Sequence, residues 1–520
     1  MQAAKSPGHL FVTHGDLCQL ALDDVLVPCD TDLNVTSSFA PLLGASVPGD
    51  NDWIRPAGHS TPQHFTHADR RPLLISQEEG APRVWLINSA FAGVGLADKA
   101  ALGWLLAGLR SALATIESFP VPPLHQRARR TIGIPMIGVG EGGFDGMRDD
   151  VIRQLLAELT QAVRQPGQSD IVVVAWQRSD YAAIQQHRPQ PTPPPMVTGG
   201  EVDRLARLAM NGDLVAFIGA GVGRSAGLPD WNQLLEALAA QTKWDHDMRG
   251  AILRLPPEDA AEALKKELRD GLQDLIVAAV SAERYGLSHS LLASMRMREV
   301  VTTNYDDLFE RACARPHDGN LKVLPRQRVT GRQPWLLKLH GDAAVPESIV
   351  LTRSQYLDFD TRSAPLAAVV QANMVTRHML FVGYSLSDNN FIRLAHQVQD
   401  LFGQYGDANE LLGTVITLAP SPAASFLWKD NLQYVAVAEM DSKEGSRQTE
   451  ILLDCIGRAA CDEAPYVLDH KYGELLSDED RRLAESLKSL AEAAQEGHES
   501  QAWIKVRRLL ADLGGGEDSR

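Results

Sequence analysis

Along the first 185 or so residues, short apolar runs alternate with longer stretches whose apolar positions recur every three or four residues. The runs at 10–13, 24–28, 83–88, 131–138 and 171–176 predict strands, and 97–118 and 147–164 predict amphipathic helices. After residue 200 the alternation resumes, with apolar runs at 214–219, 299–303, 335–339, 378–383 and 414–418. Continuous apolar runs of that length suit parallel strands covered on both faces. The pattern predicts an α/β layer fold built twice over.

Between the two series lies His187-Arg-Pro-Gln-Pro-Thr-Pro-Pro-Pro195, followed by Gly199 and Gly200. Its prolines favour an extended, semi-rigid spacer. The expected division is therefore an α/β unit at 1–186, a linker at 187–200, a second unit at 201–465 and a helical appendage at 466–520. Within the second unit a smaller helical subdomain is expected at 236–298. In the appendage Ser477 is placed to cap a helix. Leu483, Leu487 and Leu490 share one face of it, and Gly514–Gly516 stops the helical stretch. That tail is expected to pack back on its own domain, an oligomer contact being the alternative.

Composition narrows the function classes. The chain has 520 residues, 44% hydrophobic and 22% charged, with a net charge of −16. This balance argues against broad nucleic-acid binding, which needs a basic face. A local basic groove at Arg127, Arg129 and Arg130 competes with a plainer reading, a solvated loop before a strand. No apolar run reaches membrane-spanning length, and the first residues lack the apolar core of a signal peptide, so a cytoplasmic location is expected. The five cysteines form no Cys-x-x-Cys pair, so neither a disulfide framework nor a structural zinc site is expected.

The chemistry concentrates in four segments. Phe217-Ile-Gly-Ala-Gly-Val-Gly-Arg-Ser-Ala-Gly-Leu-Pro-Asp-Trp231 reads as a buried strand running into a glycine-rich turn, then a step that opens a helix. Its glycines allow close approach of the backbone to a pyrophosphate, to which the following amides can donate. Thr302-Thr-Asn-Tyr-Asp-Asp-Leu308, Lys338-Leu-His-Gly-Asp342 and Phe381-Val-Gly-Tyr-Ser-Leu-Ser-Asp388 follow in order, each at the carboxyl end of an expected strand. Ligands of open α/β sheets bind there. The Asn304 amide can hydrogen-bond a ribose hydroxyl or orient a water. Asp306 can either face a ligand or cap the next helix. His340 is suited to take a hydroxyl proton near neutral pH.

Together the four segments resemble the sirtuin family, and more closely its bacterial NAD-consuming branch than its protein deacylases. The resemblance implies a Rossmann-like domain with NAD⁺ as substrate. It places Gly219, Ala220 and Gly221 along the phosphates, Asp230 and Trp231 toward the nicotinamide, and Thr303, Asn304 and Asp306 beside them. Gly383 and Ser385 would contact the adenosine side and phosphates and Asn389 would also bind the dinucleotide, with Asn304 and His340 catalytic. Gly223 stands where many relatives have Ser, and Asn232 where deacylases commonly have Arg. The four-cysteine zinc module of deacylases is missing, which points to water rather than an acyl-lysine as acceptor.

The N-terminal unit resembles macro domains, which bind ADP-ribose. The resemblance rests on His14-Gly15-Asp16, on Asp24-Val-Leu-Val-Pro-Cys-Asp30 and on the loop from Ile132 to Phe144. Pro28 and Cys29 replace the usual Asn-Ala pair, which argues against hydrolysis of ADP-ribose linkages. Binding of an ADP-ribose-like ligand, a trigger-binding role and a degenerate scaffold all stay open. The whole resemblance implies an NAD⁺ hydrolase of anti-phage defence, acting by NAD⁺ depletion. It would be held silent until a phage or partner-protein trigger arrives, with a homo-oligomer expected and no membrane, nucleic acid or metal involved. The alternatives are an NAD-dependent deacylase or ADP-ribosyltransferase, and a non-catalytic sensor.

Overall fold

The structure, a computed structural model, describes residues 7–44, 52–62, 65, 72–89, 99–119, 121–125, 127–139, 143–164, 169–405, 411–440, 443–461, 464–494 and 500–515. In the first sheet Leu10–His14, Asp170–Ala175, Thr131–Pro135, Asp24–Cys29 and Arg83–Asn88 lie side by side in that order, all parallel. Leu73–Ser76 adds an antiparallel edge that the pattern did not show. The strand expected at 131–138 ends at Pro135, before Gly138 turns to a φ of 88°. The helix expected from 97 is described from Lys99 onward.

Period-two alternation splits these strands cleanly. Val12, Leu26, Trp85, Ile132 and Val173 point to helices Lys99–Glu117 and Arg148–Val163. Phe11, Val25, Val27, Leu86 and Val172 point the other way and join one apolar cluster with Leu291, Leu292, Leu452 and Ile456. Those partners belong to helices Leu287–Ser294 and Lys443–Ala459 of the second unit. The second unit thus supplies the layer that covers the first sheet, so the two share a core.

Polar groups reinforce the joint. The Arg188 guanidinium clasps the Asp454 carboxylate at 2.9 Å through both terminal nitrogens and donates to the Leu10 carbonyl. His9 reaches the same carboxylate at 2.8 Å, and Arg447 grips Asp170 at 2.7 and 2.8 Å. Thr13 Oγ1 lies 2.6 Å from Ser290 Oγ and 2.9 Å from Ser294 Oγ. Arg188 sits at the start of the proline-rich stretch, which runs without helix or strand from Arg188, just past helix Arg178–His187, to the Thr198 cap of helix Gly199–Asn211.

The second sheet is all parallel, in the order Lys322–Leu324, Trp335–Lys338, Glu299–Thr302, Leu214–Ile218, His378–Val382, Gly413–Thr417, Leu432–Ala436. Its two edge strands were not legible, being short or broken by polar residues. Helices Trp231–Ala240, Pro257–Leu268 and Leu272–Ala279 pack around Leu238, Leu264 and Ile276 as a small subdomain beside the sheet. Helix Leu287–Ser294, expected within that subdomain, instead packs against the first unit.

The tail corrects an expectation. Tyr466, Tyr472 and Leu475 enter the apolar cluster of the first unit, and Tyr472 Oη donates to Asp180 at 2.8 Å. The chain thus returns to its N-terminal unit rather than to the domain that precedes the tail. Ser477 Oγ accepts from the Asp480 amide, as a cap should. Gly516 lies outside the described residues.

Candidate active site

The central strand Leu214–Ile218 has Glu299–Thr302 on one side and His378–Val382 on the other. Chain order reverses direction across it, which opens a crevice at the carboxyl ends of these strands. A cavity of about 750 Å³ occupies that crevice, a size suited to a drug-sized or dinucleotide ligand. Ala220, Gly221, Asp230, Trp231, Thr303, Asn304, Asp306, His340, Gly383, Ser385 and Asn389 all line it. Gly219 lies just behind, its carbonyl accepting from the Asn304 amide at 3.2 Å.

The glycines are needed for contact between loops. A Cβ on Gly219 would meet the Gly383 oxygen at 2.4 Å, and one on Gly221 would meet Gly383 Cα at 2.8 Å. Gly383 itself has a φ of 64°, and a Cβ there would lie 2.6 Å from the Val222 amide nitrogen. The Gly221 amide donates to the Gly383 carbonyl at 2.9 Å, which locks the two loops. The glycine-rich turn continues as a short 3-10 helix, Ala220–Ala226, a detail the sequence did not suggest.

Asn304 is aimed by its neighbours. Its backbone N–H donates to Thr302 Oγ1 at 3.0 Å, and that hydroxyl donates to the Ile218 carbonyl. Asp306 does the capping work foreseen for it, accepting from the Leu308 amide at 3.0 Å while also lining the cavity. Burial raises its pKa. Beneath it the buried ammonium of Lys338 donates to the Tyr305 and Asp306 carbonyls and pairs with Glu310 and Asp342. This anchor holds the Asn-Tyr-Asp turn against the strand that carries His340. Asp230 likewise closes a capping box with Gln233 at the start of helix Trp231–Ala240.

His340 is 1% exposed, on a turn where Gly341 adopts a φ of 99°. A Cβ at Gly341 would lie 2.4 Å from the Ser348 carbonyl oxygen, so only glycine fits. Burial pushes the imidazole below its ordinary pKa, which favours the neutral ring, with Asp388 partly offsetting this. Its Nε2 stands 3.2 Å from Asp388 Oδ2, within ion-pair range, yet is not aligned for a hydrogen bond. Tyr356 Oη donates to the same carboxylate oxygen at 3.3 Å. Asp388 Oδ1 caps helix Asn389–Tyr405 through the Asn390 and Phe391 amides.

Three polar atoms around the cavity, Trp231 Nε1, His340 Nε2 and Tyr384 Oη, are buried without hydrogen-bond partners. Buried polar groups are rarely left so, and a ligand carrying several hydroxyls would satisfy them. Sequence reasoning missed Glu258, Arg353, Tyr356 and Tyr384 as lining residues. Only Tyr384 lay within a motif that had been read. Among the described residues no group of three His, Cys, Asp or Glu is arranged to hold a metal ion, and no helix is long and apolar enough to cross a membrane.

In the first unit the macro-like segments have structural partners. Asp24 is fully buried between Arg83 and Arg130, with Trp85 Nε1 donating to it at 2.9 Å. Asp16 caps a short turn through the Cys18 amide. Of the expected phosphate loop, residues 140–142 lie outside the described residues.

Residues 298–435 match the family model described as a SIR2-like domain. The NAD(+) hydrolase ThsA of Acinetobacter baumannii is 27% identical over 212 residues, 39% of this chain and 42% of that protein. The protein of the same name from Bacillus cereus is 26% identical over 37% of this chain and 41% of its own length. Defense-associated sirtuin 2 of Bacillus subtilis is 28% identical over 38% of this chain and 20% of its own. The chain thus spans less than half the length of these curated relatives. Among solved structures, a macrodomain mutant of Oceanobacillus iheyensis with ADPR covers 34% of this chain and 89% of its own, at 13% identity and a TM-score of 0.26. The segment that carries Asn304, His340 and the Gly383 loop lies within the residues, 298–435, that match the SIR2-like domain model.

Proposed function

We propose that the chain is an NAD⁺ hydrolase, a regulated effector of bacterial anti-phage defence that acts by depleting NAD⁺. The observation that carries this reading is the convergence of Asn304 with three unpartnered buried polar atoms, His340 Nε2 among them, on one cavity behind a glycine-locked turn. The names of the similar proteins point the same way. In this reading the bond between nicotinamide and ribose breaks, the pair of electrons leaves with nicotinamide, and water adds to the ribose carbon while releasing a proton. The Asn304 amide positions the ribose or the water, and neutral His340 accepts a hydroxyl proton. Gly219, Ala220 and Gly221 border the phosphates, while Asp230, Trp231, Thr303 and Asp306 surround the nicotinamide end. Gly383, Ser385 and Asn389 border the adenosine. No metal enters any step. The N-terminal unit acts as the regulator, relaying a nucleotide or a phage or partner-protein trigger, and a cytoplasmic homo-oligomer is the expected state.

The test is release of nicotinamide and ADP-ribose from NAD⁺ by purified protein, beside Asn304→Ala and His340→Ala. Turnover without any acyl-peptide, abolished by both substitutions, supports the hydrolase. Turnover that survives both removes these residues from the chemistry. A strict requirement for an acylated peptide replaces hydrolysis by deacylation.

A further inference from the structure

A second cavity, of about 420 Å³, lies where the two units meet. Its walls come from the loop before strand Thr131–Pro135, from the turn at 224–233, and from the first turn of helix Lys443–Ala459. Arg127, Arg129, Arg224, Lys443 and Arg447 contribute five permanent positive charges, against the carboxylates of Asp170 and Glu450. Those two carboxylates are already committed, Glu450 to Arg127 and Asp170 to Arg447. By count the lining residues carry three more positive than negative charges, Arg224 and Lys443 being exposed to solvent. Burial, and after it the neighbouring Arg447, press the Arg129 guanidinium below its ordinary pKa, with Asp170, Glu444 and Glu117 acting in the opposite sense. The expectation of a solvated loop at Arg127–Arg130 is overturned, because the side chains of Arg127 and Arg130 are only 7% and 10% exposed.

Further observations point to a ligand. Arg127 Nε and Ser225 Oγ are buried without hydrogen-bond partners, and both residues line this space. The amino end of the 17-residue helix Lys443–Ala459 lies at the wall, and its dipole favours an anion. We infer that this cavity is a binding site for a diphosphate-bearing small molecule of nucleotide size, distinct from the NAD⁺ crevice. The site is joined to that crevice. Arg224, Leu228 and Pro229 line both cavities. His125 presses on the same turn so closely that a Cβ at Gly227 would lie 2.7 Å from its Nδ1. An anion drawn between Arg129, Arg224 and Lys443 therefore pulls on the turn that delivers Asp230 and Trp231.

The experiment uses calorimetric titration of the full chain with inorganic pyrophosphate and with ADP, so its readout does not depend on turnover. Both are expected to bind, ADP more tightly, with affinity falling about tenfold in Lys443→Glu and again in Arg129→Glu, the loss of one charge-assisted contact each. Lys443 is exposed, so its reversal leaves folding intact. Asn304→Ala should bind pyrophosphate as the parent does. Hydrogen exchange at 222–233 should slow on pyrophosphate binding in the parent and not in Lys443→Glu. Absence of binding at about 10 mM, well above the usual micromolar to millimolar range, overturns the proposal. So does indifference to both reversals, loss of binding in Asn304→Ala, or pyrophosphate binding more tightly than ADP.

Discussion

Replacing Gly383 by Ala tests whether the interlocked glycine loops shape the crevice. The new methyl would stand 2.6 Å from the Val222 nitrogen and 2.9 Å from the Gly221 carbonyl carbon. Both are backbone atoms, which cannot swing aside as a side chain would. To reach even 3.0 Å the loops must part by about 0.4 Å, and such overpacking costs about 1–3 kcal/mol. The φ of 64° adds about 1 kcal/mol for a residue with a Cβ. Losing the 2.9 Å bond from the Gly221 amide to the Gly383 carbonyl adds about 1 kcal/mol more. The sum, about 3–5 kcal/mol, corresponds to a fall in melting temperature of roughly 10 °C for a domain of this size. NAD⁺ affinity should fall at least about tenfold, since amides meant for phosphates shift by a sizeable fraction of a hydrogen bond's tolerance. Calorimetric melting and equilibrium NAD⁺ binding measure both effects. Gly403→Ala, on helix Asn389–Tyr405 with nothing within 4 Å of the new Cβ, is the control and should be neutral or slightly stabilising. A Gly383→Ala protein that melts and binds NAD⁺ like its parent would refute the argument.

Two further outcomes follow from charges. Asp388→Asn keeps the cap on helix Asn389–Tyr405 but removes the anion beside His340, so the acid limb of kcat should move to lower pH while the melting temperature stays within about 2 °C. An unmoved limb would show that the carboxylate does not bear on the imidazole. For stability, burial lowers the pKa of His14 to about 4 and of His289 to about 3. Their neutral forms stabilise the fold fully above about pH 6.5, and that stability is lost as pH falls through the unfolded value toward the folded ones. Each should contribute a slope of about 1.4 kcal/mol per pH unit below pH 6, and His289→Gln should remove one such slope in urea titrations.

The sequence was most readable where geometry leaves one choice of residue. The turn after Leu214–Ile218 needs glycines because another loop lies against it, and Gly341 is needed because the Ser348 carbonyl fills its Cβ position. Such positions announce themselves, and each carries a cavity-lining neighbour with it. Tyr356, Glu258 and Arg353 gave no signal, because each reaches the crevice from a helix or loop whose local pattern only records how that element packs. The shared core was hidden for a related reason. A strand buried on both faces looks the same whether its second layer comes from nearby in the chain or from residues 287–294 and 443–459. The basic stretch at 127–130 misled for the same cause: Glu450, 323 residues from Arg127, cannot be foreseen as its partner.

The shared core also decides how regulation by the first unit can be examined. Deleting residues 1–195 would strip Leu291, Leu292, Leu452 and Ile456 of the sheet that covers them. It would also take Arg188 and His9 away from Asp454. Burial alone would raise that carboxyl, and the Arg188 guanidinium outweighs it, holding the pKa below its ordinary value. The deletion would bare the Asp454 carboxylate together with the apolar face around it, and that face invites aggregation. The truncated chain should therefore be insoluble or melt far below the parent. A soluble fragment with the parent's melting temperature would contradict the interface described above. A charge exchange keeps the fold and still probes the coupling. Arg127→Glu alone places two carboxylates together at the joint, and adding Glu450→Arg restores an opposite pair in reverse. If the first unit sets the turn at 224–233, NAD⁺ turnover or affinity should change in the single variant and return toward the parent in the double one. Equal activity in all three proteins, with the single variant folded, would mean that the joint holds the units together without governing the crevice.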